Sequence, residues 1–233
     1  MIIPLPSRIE DPRLDAGLVR QAANAVPSRR PNIRACLNKL SAAAESEGWM
    51  RPVAACRVLP AVMEAPSRWR IGSRTIESVA LRRLIGADEV AVIFATIGAA
   101  WSDAVSAHFR EGEPLDGYLL NELGNAVLER WSRRVEALVR LSARSRGLRA
   151  GSPISPGHSD FPLSFQPVLA ELAEPQSVGI ELTSGGMLAP VKSLSMLIGI
   201  GQGLRRRTRS AACRECPSFA KCRRQGRRSG HGI

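Results

Sequence analysis

The stretch DEVAVIFATIG, residues 88 to 98, constrains the fold more than any other part of this chain. Its apolar centre is continuous and β-branched and it closes at Gly98, the pattern of a strand covered on both faces. The longest helix follows: from Tyr118 to about Leu141, residues Leu119, Leu123, Val127, Trp131 and Val135 recur every fourth position and form a stripe that belongs in the core. Leu18, Val19, Ala22, Ala23 and Val26, then Ile33, Leu37, Leu40 and Ala44, predict a helical lead-in within residues 1 to 50. Residues 51 to 75, including SRWRIGS, read as irregular or extended chain. Thr75 to Ile85 has helical spacing, helical patterning resumes from Trp101 to Phe109, and REGEPLDG reads as a polar loop.

SVGIEL and KSLSMLIGIG alternate at period two, as strands do, and TSGGMLAP connects them. Helices in the middle and strands late, without regular β-α alternation, predict an α+β fold rather than a doubly wound sheet. The expected organisation is a helical lead-in over 1–70, an α+β core over 71–204 and a basic, Cys-rich tail over 205–233. At 233 residues the chain can bury a large core. Aromatic residues supply only 4% of it, so the core should be mostly aliphatic. No apolar run reaches the roughly 18 to 20 residues of a membrane span, and MIIPLPSRIEDPR lacks a basic n-region and an h-region, so the expected location is cytoplasmic.

The net charge of +12 is concentrated at one end. Between Arg205 and Arg228 stand ten Arg and Lys against one acid, Glu215, which leaves only +3 on the rest of the chain. A basic tail attracts phosphate backbones, anionic lipid or an acidic protein. Apart from Phe219 it has no aromatic residue for stacking on bases, which argues against a specific nucleic-acid role. Of five cysteines, Cys36 and Cys56 are distant singles, and Cys213, Cys216 and Cys222 form C-x2-C-x5-C in CRECPSFAKC. That spacing suits an iron-sulfur cluster or zinc, with a fourth ligand from His231, water, a substrate or a partner, and equally suits reduced, silent thiols.

Two further segments carry candidate chemistry. In SPGHSD, Pro156 and Gly157 suffice for a turn, and Asp160 or Ser159 for the cap of a following helix. The added polar residues Ser155 and His158, with exposed turn N–H groups, could hold a carboxylate or a ribose hydroxyl. In LTSGGMLAPVKS, Gly185 and Gly186 fit a hairpin turn, with Lys192 read as solvated. Walker, G-x-G-x-x-G, H-E-x-x-H and G-x-S-x-G patterns are absent, and His108 and His231 support no triad.

Four segments taken in order resemble one family, the activation domain of cobalamin-dependent methionine synthase and the free-standing proteins built from it. They are IESVALRRLIGADEVAVIFATIGAAWSDAV, LDGYLLNELGNAVLERW, SPGHSDFPLSFQPVLAEL and IELTSGGMLAPVKSLSMLIGIG, the last running on to the Cys-rich end, and together they cover roughly residues 71 to 222. The resemblance implies a bent antiparallel sheet flanked by helices that binds S-adenosylmethionine and presents its methyl group to a cobalamin. The family turn resembles Arg-Pro-Ala-Pro-Gly-Tyr; here Pro153 stands at the arginine, His158 at the tyrosine, and Pro156-Gly157 is kept. A proline cannot make the bidentate pair that an arginine makes with a carboxylate. Arg149 is the nearby guanidinium that could take its place.

On this resemblance Ser155, Pro156, Gly157, His158, Thr96, Gly98, Met187 and Lys192 are the cofactor-binding candidates and Cys213, Cys216 and Cys222 the metal ligands, with no acid-base catalytic residue. The implied role is accessory to a corrinoid-dependent methyltransferase system. Cobalamin would be carried by a corrinoid-binding partner, and electrons would come from a flavodoxin- or ferredoxin-type donor. The alternatives are a non-catalytic docking scaffold for a corrinoid protein and a basic nucleic-acid-binding protein.

Overall fold

The structure, a computed structural model, describes residues 2–10, 15–26, 30–157 and 160–204. Its centre is β5 (Glu89–Thr96), in which every residue after Glu89 is buried. It pairs antiparallel with β2 (Val53–Ala65) on one side and β9 (Ser193–Gly201) on the other, with Thr96 opposite both Val53 and Ser193. Outward from β2 lie β3 (Arg68–Ile71) and β4 (Arg74–Glu77), while β1 (Arg8–Glu10) also pairs with β2 and β6 (Arg149–Ala150) closes the far edge on β9. A small hairpin of β7 (Glu181–Leu182) and β8 (Leu188–Ala189) stands apart. The α+β expectation holds: this is a bent antiparallel sheet flanked by helices.

Alternation along β5 splits the core into two layers. Ala91, Ile93 and Ala95, with Ala54, Cys56, Met196, Ile198 and Ile200, face the helical layer. That layer consists of α1 (Asp15–Ala25), α2 (Pro31–Ser46), α3 (Ala99–Arg110) and α4 (Pro114–Ser145). Val90, Val92 and Phe94 face a second core with Trp69, Ile71 and Ile76, covered by α5 (Gln166–Ala173) and a 3-10 turn, Val79–Leu84. The five stripe residues of α4 are all buried, each burial worth about 2 kcal/mol. Gly124 lets α3 approach α4: a Cβ there would lie 2.4 Å from Trp101 Nε1, which donates to the Leu120 carbonyl at 3.1 Å.

Three local expectations are corrected. Thr75 to Ile85 is not one helix but strand to Glu77 and a 3-10 turn from Val79, because Ser78 stays extended and spends its hydroxyl on the Ala80 N–H and the Asp160 carbonyl. REGEPLDG is only partly loop, since Pro114, free of any N–H to satisfy, begins α4. SVGIEL is strand only at Glu181 and Leu182, because Pro175–Val178 is a 3-10 turn bounded by Glu174 and Gly179 in left-handed conformations. The sheet also takes in β1 and β2, so the chain before residue 71 contributes strands as well as helices. None of the described helices is long and apolar enough to cross a membrane.

Candidate functional site

Six of the described candidate residues fall into two groups on opposite sides of the first half of β9, with Met187 apart from both. Thr96, Gly98 and Lys192 meet where β5 ends. The Lys192 carbonyl accepts from the Ile97 N–H at 3.1 Å and the Thr96 hydroxyl at 3.2 Å, and that hydroxyl accepts from the Gly98 N–H at 3.0 Å. Gly98 is the residue before α3 and has φ 96°, ψ 163°, a region open essentially to glycine alone.

Lys192 is not the solvated lysine expected. It is 5% exposed, and its Nζ donates to Asn121 Oδ1 at 2.7 Å and Asn125 Oδ1 at 2.6 Å, using two of its three donors. Burial lowers its pKa below the ordinary value, with the Glu122 carboxylate acting in the opposite direction. Asn121 and Asn125 were not among the sequence candidates. Their spacing of four on the flank of the apolar stripe was the available signal.

The second group is the Pro-Gly turn. Ile154 bridges to Leu197 in both directions, 2.9 and 2.8 Å, on the edge of β9 away from β5. Ser155 and Pro156 are half-buried and Gly157 is exposed with φ 103°. The Gly157 N–H donates to the Phe161 carbonyl at 2.9 Å, Ser78 holds the Asp160 carbonyl, and Arg83 pairs with the Asp160 carboxylate. Asp160 therefore anchors the turn rather than capping a helix. His158 lies outside the described residues, as do Cys213, Cys216 and Cys222.

Met187 is 55% exposed at the β7–β8 hairpin. That hairpin leans on Gln166, whose Nε2 reaches the Gly186 carbonyl at 3.5 Å, while its Oε1 accepts from the buried Ser195 hydroxyl. Arg149 pairs with Gly201 in β6, four positions along β9 from the Leu197 that holds Ile154, or roughly 13 Å at the usual rise. It does not stand at the turn.

A cleft of about 490 Å³ opens beside the first group, within the usual size of a small-molecule site. Thr96, Gly98 and Ala99 form one wall, Arg51 and Val53 a second, with Arg8 and Glu10 of β1, Val178, Gly179 and Pro190 completing it. The turn residues 155–157, Met187 and Lys192 do not line it. Burial pushes the Cys56 thiol up to about 12 and, with Asp116 adding to the effect, the Cys36 thiol to about 11, so neither is a ready thiolate. His108 Nδ1 is spent 2.7 Å from Glu113 Oε2.

No family model matches the chain, and no curated protein matches it. Solved structures do share its fold. The crystal structure of the MetH reactivation domain bound to AdoHcy superposes with a TM-score of 0.63 at 13% sequence identity, covering 89% of this chain and 81% of that chain. At that identity the likeness is one of fold.

Proposed function

We propose that this chain binds S-adenosylmethionine or its demethylated product and serves as an accessory protein of a corrinoid-dependent methyltransferase system, restoring the active cobalt state. The observation that carries the reading is the fold shared over most of its length with a domain whose structure holds AdoHcy, together with a ligand-sized cleft at the end of the central strand. The residues there fit such a ligand: apolar walls from Met50, Val53, Val178 and Pro190 for a nucleoside, and charged groups at Arg8, Glu10 and Arg51 for an amino-acid end. Cobalamin, carried by a separate corrinoid protein, supplies the cobalt that accepts the methyl group. The work left to this chain is holding and aiming the donor, which needs no acid-base triad.

Electrons would come from a flavodoxin- or ferredoxin-type donor, with the basic tail as docking site and Cys213, Cys216 and Cys222 as ligands of an iron-sulfur cluster or zinc. Iron, sulfide and zinc analysis after anaerobic purification tests the cysteines. Calorimetry tests the main reading: S-adenosylmethionine or AdoHcy should bind at micromolar to millimolar concentration, and no heat at millimolar ligand would end it.

A second reading, a scaffold that only docks to a corrinoid protein, is favoured by one feature of the turn. Pro153 removes its arginine, Arg149 stands roughly 13 Å along the strand, and Arg83 is already paired with Asp160. Retained binding to the corrinoid partner without any nucleoside binding would support it. Nucleic-acid binding through the tail predicts complete loss of such binding on removal of residues 205–233.

A further inference from the structure

The charges on the cleft wall are unevenly satisfied. Arg8 is engaged, its Nε donating to Glu10 Oε1 at 2.6 Å and its Nη1 to the Ser177 carbonyl at 2.7 Å. Arg51 is different. Its backbone is fixed by its N–H bond to the Ile97 carbonyl at 2.9 Å, and its Cβ rests against Gly98, where a Cβ would lie only 3.3 Å away. Its guanidinium has no ion-pair or hydrogen-bond partner among the described residues.

With Glu10 set against Arg8, the described residues of the lining carry one surplus positive charge, on Arg51. Beside it Ala99 begins α3, a helix of twelve residues whose first turn has neither a side-chain cap nor an acidic residue. The chemistry that complements this wall is a carboxylate, with an ammonium within reach of Glu10 and an apolar body across Met50, Val53 and Val178.

We propose that Arg51 is the specificity-determining residue for the amino-acid end of the ligand, taking its carboxylate in the cleft while Glu10 faces the ammonium. This rests on the adenosyl-ligand reading above and assigns to β1 and the residues leading into β2 a contact for which the Pro-Gly turn has no arginine.

The test compares AdoHcy with 5′-methylthioadenosine, a thioether nucleoside that lacks the amino-acid group, by calorimetry on the full chain. The wild-type chain should prefer AdoHcy by about ten- to a hundredfold, the range of a charged hydrogen-bonded pair. Arg51→Ala should erase that preference while leaving 5′-methylthioadenosine affinity within about twofold. Arg51→Lys should recover part of it, since a point charge replaces the planar fork. Arg51 is exposed, so these variants should keep the wild-type Tm. An undiminished preference in Arg51→Ala, or none in the wild type, overturns the assignment and leaves the adenosyl reading standing. Failure of both nucleosides to bind the wild type overturns the reading and the assignment with it.

Discussion

The knot at Thr96, Gly98 and Lys192 and the turn at Ser155–Gly157 are held to the sheet by opposite means. The knot is sealed: its lysine is buried, its carbonyl takes two donors, and its glycine sits in a conformation that would strain any other residue. The turn is propped from its flanks, by Ile154 on Leu197 and by Ser78 and Arg83 on Asp160, while its tip faces solvent. A sealed polar site resists change because every group lost leaves a buried partner unsatisfied, whereas a propped loop tolerates change at its tip and fails at its anchors.

The sharpest test of that contrast is Lys192→Ala, which empties a buried position of its four-carbon stem and removes the bonds to half-buried Asn121 and exposed Asn125, and should cost about 3 kcal/mol in urea unfolding. The same residue gives a pH signature. Because burial lowers its pKa, the folded chain releases this proton at lower pH than the unfolded chain. The unfolded state therefore binds more protons between the lowered value and about 10.5, and stability rises with pH across that interval. Lys192→Ala should lose this rise. Gly98→Ala comes next, at about 2 kcal/mol, since it adds crowding against Arg51 Cβ to a glycine-only conformation.

Arg83→Ala should cost about 1.5 kcal/mol by leaving Asp160 unpaired, and hydrogen exchange should speed up at residues 154–157 with little change at the knot. Gly157→Ala should have the smallest effect, about 1 kcal/mol, because its φ is positive but its nearest neighbour, Leu163, is 3.7 Å from the added Cβ. If Gly157→Ala proved costlier than Gly98→Ala, the contrast between sealed and propped would be wrong.

Elements with strong periodicity were legible in the sequence and weaker ones were not. The α4 stripe and the β5 and β9 runs lie where their patterns put them, because their burial demands one side-chain period throughout. The thirteen-residue β2 carries no clear strand signature in the sequence because Pro60 interrupts it. In the structure Pro60 occupies the last position paired with β5, opposite Glu89, and the following residues pair with β3, so its missing N–H falls where the partner changes.

The site was legible as residue types but not as an assembly. Thr96 and Lys192 stand 96 positions apart and meet only through the β5–β9 register. The asparagines that bond the lysine, and Arg51, which has no side-chain partner among the described residues, carry no motif and become visible only once α4 and β2 are in place.

β9 begins directly after Lys192, and shortly beyond its other end the described chain stops at the buried Leu204. Nine strand residues at about 3.3 Å each put roughly 30 Å between those ends. The last described residue thus stands about a full strand length from the cleft. A docking protein that touched both the cleft and the point where the described chain ends would have to lie along the domain.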